Sequence, residues 1–198
     1  MTTGDTNERQ PVGTRTEREL VEAAMAGDAE AFSDLASAAA HRLYATARLI
    51  LRDEAAADDA TQDALVTAWR DLSALRDPDH FEAWTYRVLV RTCYRSAQRA
   101  RRRIEVEGQV RPISEPPDPG EQSVIRDEIE RGFARLSIEH RTVLVMHHYL
   151  GYTFSEIATT LGIPVGTAKS RIHRATAAMR EALSGNASRT PMHRGQMA

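Results

Sequence analysis

The sequence contains very little cysteine, very little lysine and no long apolar segment. Its one cysteine, Cys93, excludes an internal disulfide and any zinc site built from several cysteines. No apolar run approaches the ~20 residues of a membrane-spanning helix. The opening segment, MTTGDTNERQPVGTR, lacks the apolar core of a signal peptide. We therefore expect a cytoplasmic protein without membrane insertion.

The composition is typical of a folded protein. The 198 residues are 41% hydrophobic and 27% charged, which suits one domain of ordinary size or two small ones. Apolar residues recur at helical spacing in both halves of the chain, and no alternating pattern indicates a strand. We predict an all-α fold of two small helical domains joined by a flexible linker.

Glycine and proline place the boundaries of these domains. Four prolines and two glycines between residues 104 and 123 are incompatible with a long helix, and this segment is also acidic. The ends of the chain are polar and are predicted to be disordered. The predicted parts are an N-terminal tail (1–15), an N-terminal helical domain (16–103), a linker (104–123), a C-terminal helical domain (124–183) and a C-terminal tail (184–198).

The formal net charge is only −2, but the charges are segregated along the chain. Arginines repeat every four residues from Arg87 to Arg103 with no acid among them, and like charges at this spacing repel one another. An external anion explains this stripe better than internal pairing does, and DNA backbone is the anion we expect. On the preceding helix, one side is acidic and polar, and such a surface suits a protein partner. It contains Asp58, Asp59, Gln62 and Asp63.

The stretch YTFSEIATTLGIPVGTAKSRIHRATAAM, Tyr152 to Met179, predicts two helices and a tight turn. Thr153 and Glu156 have the spacing of a capping box at the start of the first helix. Gly162 is suited to ending that helix, and Pro164 to the first turn of the next. This arrangement is typical of a DNA-binding helix-turn-helix.

The second helix of this motif has two distinct faces. Its buried stripe is predicted to contain Ala168, Ile172, Ala175 and Met179. Its basic residues have no carboxylate nearby, and arginine, serine and threonine can contact base edges or phosphates. We predict that the DNA-reading residues are Thr167, Lys169, Ser170, Arg171 and Arg174.

With both halves considered, the chain resembles bacterial RNA polymerase sigma factors of the extracytoplasmic-function (ECF) subfamily. In the C-terminal half, EHRTVLVMHHYLGYTFSEIATTLGIPVGTAKSRIHRA resembles the family's domain for the −35 promoter element. In the N-terminal half, AGDAEAFSDL, ADDATQDALVTAW and HFEAWTYRVLVRTCYRSAQRARRR resemble its successive helices in the correct order. The resemblance covers about residues 17 to 183, and it implies a factor that directs core RNA polymerase to promoters and promotes their melting.

The resemblance also implies roles for individual residues. Asp58, Asp59, Gln62, Asp63 and Val66 match the segment that binds the clamp helices of the polymerase β′ subunit, and the C-terminal domain is expected at the β flap. Thr167, Lys169, Ser170, Arg171 and Arg174 match the helix that reads the −35 element. An anti-sigma factor is a further expected partner. The residues that match the family's contacts to the −10 element and to melted DNA are Ser73, Arg76, His80, Phe81, Trp84, Tyr86, Arg87, Arg91 and Arg95.

Other classes of protein explain less of the sequence. A helix-turn-helix regulator that binds DNA without polymerase leaves the acidic face and the arginine stripe unused, and a pure adaptor leaves the basic surfaces unused. The GIPVGTAK segment lacks the GK[ST] ending of a phosphate-binding loop and follows a helix. His147 and His148 diverge too far on a helix to share a metal, and Cys93 has no visible catalytic partner. We predict no catalytic residue, metal site or cofactor.

Overall fold

The computed structural model describes residues 15–107 and 124–187, and within these ranges it is helical without strands. The predicted linker therefore lies outside the described residues except for its first four positions. The first half contains α1 (Glu17–Met25), α2 (Ala29–Leu51), α3 (Glu54–Asp71) and α4 (Phe81–Glu107). The second contains α5 (Val124–Ala134), α6 (Ile138–Leu144), α7 (Phe154–Leu161) and α8 (Val165–Ala187). None of the described helices is long and apolar enough to cross a membrane.

Short polar side chains begin these helices by accepting hydrogen bonds from free backbone N–H groups. Thr16 and Thr153 form capping boxes with glutamates three residues later, and the box at Thr153 agrees with the sequence prediction. Asp28 and Ser137 cap α2 and α6 in the same way. Asp53 caps the start of α3.

The ends of the helices show smaller differences from the sequence prediction. Helix α4 continues to Glu107, four residues into the segment assigned to the linker. Helix α8 begins at Val165, so Pro164 precedes its first turn and accepts hydrogen bonds there through its carbonyl oxygen. After Leu144, the chain continues as a π-helical turn over Val145–Tyr149. Gly162 has φ 66° and ends α7 in the left-handed conformation, as predicted.

Two apolar clusters hold the helices together. The smaller one joins α1 and α2 to the segment between α3 and α4, through Val21, Leu35, Leu72, Leu75 and Phe81. The larger one contains buried residues from both halves of the chain, including Leu43, Ile50 and Leu89 from the first half and Met146 and Ile157 from the second. The two predicted domains therefore pack against each other across a shared core.

Hydrogen bonds between distant residues reinforce this packing. Arg141 on α6 donates to the carbonyl oxygen of Ile50 at the end of α2 (2.8 Å). The Tyr152 hydroxyl donates to the carbonyl oxygen of Ala83 on α4 (2.8 Å). Each bond places a side chain of the second half on a backbone acceptor of the first.

Candidate functional site

Most of the residues that were predicted from the sequence to contact DNA are exposed on the basic helix α8. Ala168, Ile172 and Ala175 are buried on one side of α8, as predicted, and Met179 is half-buried. Lys169, Ser170 and Arg174 are exposed, and Thr167 is half-buried beside them. Arg174 donates to the carbonyl oxygen (3.3 Å) and hydroxyl (3.4 Å) of Ser170. This exposed surface can reach a groove of duplex DNA.

Arg171 differs from the other four residues. It is half-buried, and its Nη1 atom is enclosed without a hydrogen-bond partner among the described residues. A buried donor without an acceptor is costly, so this guanidinium is in an unfavourable position until an acceptor reaches it. Arg171 therefore lies at the edge of the exposed face, partly beneath it.

The turn between α3 and α4 presents a group of polar side chains. Ser73, Arg76 and His80 are exposed, and His80 contacts Asp77 through Nδ1 (3.0 Å). Asp77 also accepts from the backbone N–H of Asp79, and this bond lowers the pKa of Asp77. These bonds fix the turn, which leaves its exposed side chains available to a ligand.

Phe81 is the clearest departure from the predicted contact set. Its side chain is only 4% exposed, because it belongs to the smaller apolar cluster. Its ring packs at 6.4 Å from the ring of Trp84, which is half-buried. Phe81 thus anchors the turn to α1 and α2, and the prediction that it contacts DNA directly does not fit its burial.

Helix α4 carries the predicted arginine stripe, but part of that stripe contacts the second half of the protein. The Nε atom of Arg91 donates to the carbonyl oxygen of Thr160 on α7 (3.1 Å). The pKa of Glu156 is lowered, mainly by the hydrogen bond from the backbone N–H of Thr153. The positive charge of Arg87 adds a smaller contribution in the same direction. Outside the stripe, Arg101 pairs with Glu139 at 3.5 Å. Arg91, Arg95 and Arg99 are exposed, and Arg87 is half-buried. The interpretation that the stripe has no internal partners is therefore wrong for Arg91.

Tyr86, also in the predicted contact set, lies half-buried on α4. Burial raises the pKa of its hydroxyl, and the positive charge of Arg42 on α2 acts in the opposite direction. Only part of this ring can be reached by a ligand in the present arrangement.

Helix α3 exposes an acidic face. Asp58, Asp59, Gln62 and Asp63 are exposed, and none of the three carboxylates forms an ion pair with another described residue. Val66 continues the face one turn later and is 58% exposed. The opposite side of α3 is narrow and made of alanines, so the helix approaches α2 and α4 closely. An unpaired acidic surface with an apolar end suits a basic and apolar partner surface.

The apolar residues Val66 and Trp69 lie outside the packed side of α3. Trp69 is 36% exposed and contacts Phe32 of α2 with ring centroids 4.9 Å apart. The buried side is instead formed by Ala57, Ala60 and Ala64. Small residues at helical spacing bring the backbones together, which leaves larger neighbours outside the contact.

The residues considered for other chemistry have structural surroundings. Cys93 is fully buried, and burial raises the pKa of its thiol to about 12, which makes it unreactive at neutral pH. His147 contacts the carbonyl oxygen of Tyr152 through Nδ1 (2.9 Å) and stacks on Phe154, whereas His148 is exposed. In the described ranges, no cluster of three His, Cys, Asp or Glu side chains is placed to hold a metal ion.

Sequence reasoning missed the part played by Arg141. Its guanidinium donates to the carbonyl oxygens of Leu136 (2.8 Å), just after α5, and Ile50 (2.8 Å), in the last turn of α2, which belong to different halves of the chain. Burial lowers the pKa of Arg141 to about 10, which leaves it charged at neutral pH. The sequence feature that could have predicted this role is an arginine within an apolar helical segment, because a buried cation needs hydrogen-bond acceptors.

Taken together, these features define an all-helical protein with a helix-turn-helix in its second half and an exposed acidic face in its first. Each half of the chain matches a known protein-family model. Residues 35–103 match the family described as Sigma-70 region 2, and residues 126–179 match Sigma-70, region 4.

Individual proteins similar to this chain are also sigma factors. The ECF RNA polymerase sigma factor SigM of Mycobacterium tuberculosis is 32% identical over 82% of this chain and 82% of its own length. The ECF sigma-E factor of Escherichia coli is 30% identical over 83% of this chain and 92% of its own. The chain belongs to the ECF family of RNA polymerase sigma factors.

Solved structures show the same fold. The sigma factor RpoE of Bartonella quintana, in complex with the anti-sigma factor NepR, has a TM-score of 0.65 at 23% identity and covers 77% of this chain and 96% of that one. The structure of CnrH in complex with the cytosolic domain of CnrY has a TM-score of 0.55 at 26% identity, with coverages of 86% and 98%.

Proposed function

We propose that this protein binds core RNA polymerase, directs it to promoters through a −35 and a −10 element, and helps to open the duplex. One observation carries the proposal: a single sigma-family chain has two basic helices and a separate acidic face, and that face forms no ion pair with any described residue. A DNA-binding regulator that acts alone would have no use for that acidic face.

In this proposal, α3 binds the clamp helices of the polymerase β′ subunit. Asp58, Asp59 and Asp63 project from one side of the helix and supply the charge, and exposed Val66 supplies an apolar contact. Because these carboxylates have no partner among the described residues, binding a basic surface breaks no existing ion pair. The C-terminal half binds near the β flap.

The −35 element is read by α8. Lys169, Ser170 and Arg174 are exposed there, and each bidentate arginine–guanine contact contributes about 1–3 kcal/mol of discrimination. Arg171 gains a partner for its Nη1 atom when a phosphate or a base edge reaches the half-buried guanidinium. Thr167 completes the set of contacts.

The −10 element is bound by the turn after α3 and by α4. Ser73, Arg76 and His80 lie on the turn, and Trp84, Tyr86 and the stripe from Arg87 to Arg95 follow on α4. Extruding a base from duplex DNA costs a few kcal/mol, which contacts to the free base and to the charged backbone must offset. The protein makes and breaks no covalent bond in this process.

Run-off transcription with purified core polymerase and a genomic fragment library tests the proposal. We expect discrete transcripts whose templates share two upstream motifs. Arg174→Ala should reduce transcription about five- to 150-fold, as expected for the loss of one base-reading arginine, whereas Arg180→Ala, an exposed arginine further along α8, should change it little. Equal activity of Arg174→Ala and wild type would contradict the role of α8.

The polymerase contact is tested separately. Asp59→Asn with Asp63→Asn should weaken binding to core polymerase, and Asp34→Asn on α2, also exposed, serves as the matched control. Unchanged polymerase affinity in the α3 variant would contradict the assignment of α3. An anti-sigma factor is a further proposed partner, and co-purification of the tagged protein from its own cells tests for it.

A further inference from the structure

A cavity of about 160 Å³ lies between α1, α2 and α4 in the first half of the protein. Its interior is apolar: Leu35, Leu43 and Phe81 are buried there, and Leu20 of α1 is half-buried beside them. An apolar cavity of about 150 Å³ can hold one benzene-sized ligand. This cavity is therefore large enough for an aromatic ring or a short alkyl chain.

A small residue of α2 leaves room for the cavity. Leu35, Ala39 and Leu43 follow one another at intervals of four residues, so they lie on one side of the helix. The residue between the two leucines contributes only a methyl group. On the α4 side, the Thr85 hydroxyl already donates to the carbonyl oxygen of Phe81 (2.8 Å). The interior therefore offers a ligand mainly apolar contacts.

The mouth of the cavity is acidic. Of the charged side chains that line it in the described ranges, only Arg42 is basic, and it is paired with Glu82 at 2.8 Å. Glu17 of α1 and Asp34 of α2 also line the cavity and are exposed. Neither forms an ion pair with another described residue. These two carboxylates favour a cation over an anion at the mouth.

We propose that this cavity binds a small organic cation with an aromatic or short alkyl body and one ammonium group. The apolar body lies in the space beside Ala39, and the ammonium group lies at the mouth near Glu17 and Asp34. This combination of an apolar interior and a few polar groups at its edge is typical of small-molecule sites. Because Phe81 anchors the turn between α3 and α4, the ligand contacts the base of that turn.

Three probes of similar size test the proposal on the unmodified full chain: phenethylamine, phenethyl alcohol and hydrocinnamate. Proton NMR relaxation of each probe, measured as protein is added, gives its dissociation constant. We expect saturable binding of the amine. Its affinity should exceed that of the alcohol about two- to 25-fold, the contribution of two exposed ion pairs, and the anionic hydrocinnamate should bind more weakly than the alcohol.

Filling the cavity tests where the amine binds. Ala39→Leu places a larger side chain in the cavity and should abolish saturable binding of phenethylamine. Ala40→Leu is the matched control, because Ala40 is the next residue of α2 and is half-buried but does not line the cavity. Thermal unfolding of both variants checks that they fold.

Removing the charges tests the class of ligand without changing the apolar packing. Glu17→Gln combined with Asp34→Asn should make phenethylamine bind as weakly as phenethyl alcohol binds to wild type. Glu30→Gln is the control, because Glu30 is an exposed acid of α2 that does not line the cavity. This variant and the three probes decide the question even if Ala39→Leu fails to fold.

Several results would overturn the proposal. They are a lack of saturable amine binding, equal affinities for the amine and hydrocinnamate, and unchanged amine affinity in a folded Ala39→Leu variant. A dimer in sedimentation experiments that forms without any amine binding would assign this groove to a second copy of the chain instead. The measurements contain neither DNA nor polymerase, so their outcome is independent of the proposed function.

Discussion

Replacement of Arg141 tests how the two halves of the protein are coupled. Its guanidinium donates to the carbonyl oxygens of Ile50 and Leu136, both at 2.8 Å. Hydrogen bonds from a charged donor contribute about 1.5–3 kcal/mol each, so the two bonds together contribute about 3–6 kcal/mol. Burial of the cation opposes this gain, as the lowered pKa of about 10 indicates. We therefore expect Arg141→Met to reduce the free energy of unfolding by about 2–4 kcal/mol.

A conservative variant separates charge from geometry. Arg141→Lys keeps the positive charge, but a lysine ammonium lacks the planar fork that reaches both carbonyl oxygens. It should lose one of the two bonds and about 1.5–3 kcal/mol. Arg135→Met is the control, since Arg135 is exposed and, among the described residues, its side chain donates only to the carbonyl oxygen of Ala182, at 3.3 Å. That change should remain within about 0.5 kcal/mol.

The assay is urea unfolding of the full chain, followed by two probes. Both tryptophans, Trp69 and Trp84, lie in the first half, so their fluorescence reports on the half that does not contain Arg141. Far-ultraviolet circular dichroism reports on all helices. We expect both midpoints to fall together in Arg141→Met, with an unchanged slope.

Two results would refute this reasoning. A loss below about 1 kcal/mol would mean that the two carbonyl oxygens find other partners when the guanidinium is removed. A lower dichroism midpoint with an unchanged fluorescence midpoint would mean that the bond to Ile50 does not transmit stability between the halves.

Three further predictions follow from single sites. The Cys93 thiol should not react with a soluble disulfide reagent at pH 8 in the native protein, because burial raises its pKa to about 12, and it should react at once in urea; rapid native labelling would contradict its burial. Thr160→Val should raise the free energy of unfolding by about 1 kcal/mol in thermal melts, because the Thr160 hydroxyl is buried without a hydrogen-bond partner in the described ranges; a loss of stability would indicate a partner for that hydroxyl. The Glu156 carboxylate accepts a hydrogen bond from the backbone N–H of Thr153, the cap of α7, and this bond lowers the pKa of Glu156. The ionised form therefore stabilises the protein fully at a pH above the ordinary pKa of 4.5. This stabilisation is lost as the pH falls through the lowered pKa. The difference in melting temperature between wild type and Glu156→Gln should therefore shrink towards pH 3, whereas exposed Glu181→Gln should show little difference at any pH.

Several features of the candidate site were predictable because they depend on a few neighbouring residues. The faces of α8 follow from its helical period, so the exposed positions of Lys169, Ser170 and Arg174 agree with the sequence prediction. The acidic face of α3 follows in the same way. Phe81 was not predictable, because an aromatic residue beside a turn can either anchor that turn or contact a ligand, and only its burial distinguishes the two.

The sequence by itself determined where most helices begin and end, because caps and left-handed glycines act within four residues of one another. Thr16, Asp28 and Thr153 cap their helices, and Gly162 ends α7, through such local bonds. Only the tertiary structure decided which face of α4 is covered. The bonds responsible join residues 69 positions apart, Arg91 with Thr160 and Tyr152 with Ala83. No local pattern specifies a partner at that distance, because the choice depends on how two separately amphipathic halves fit together.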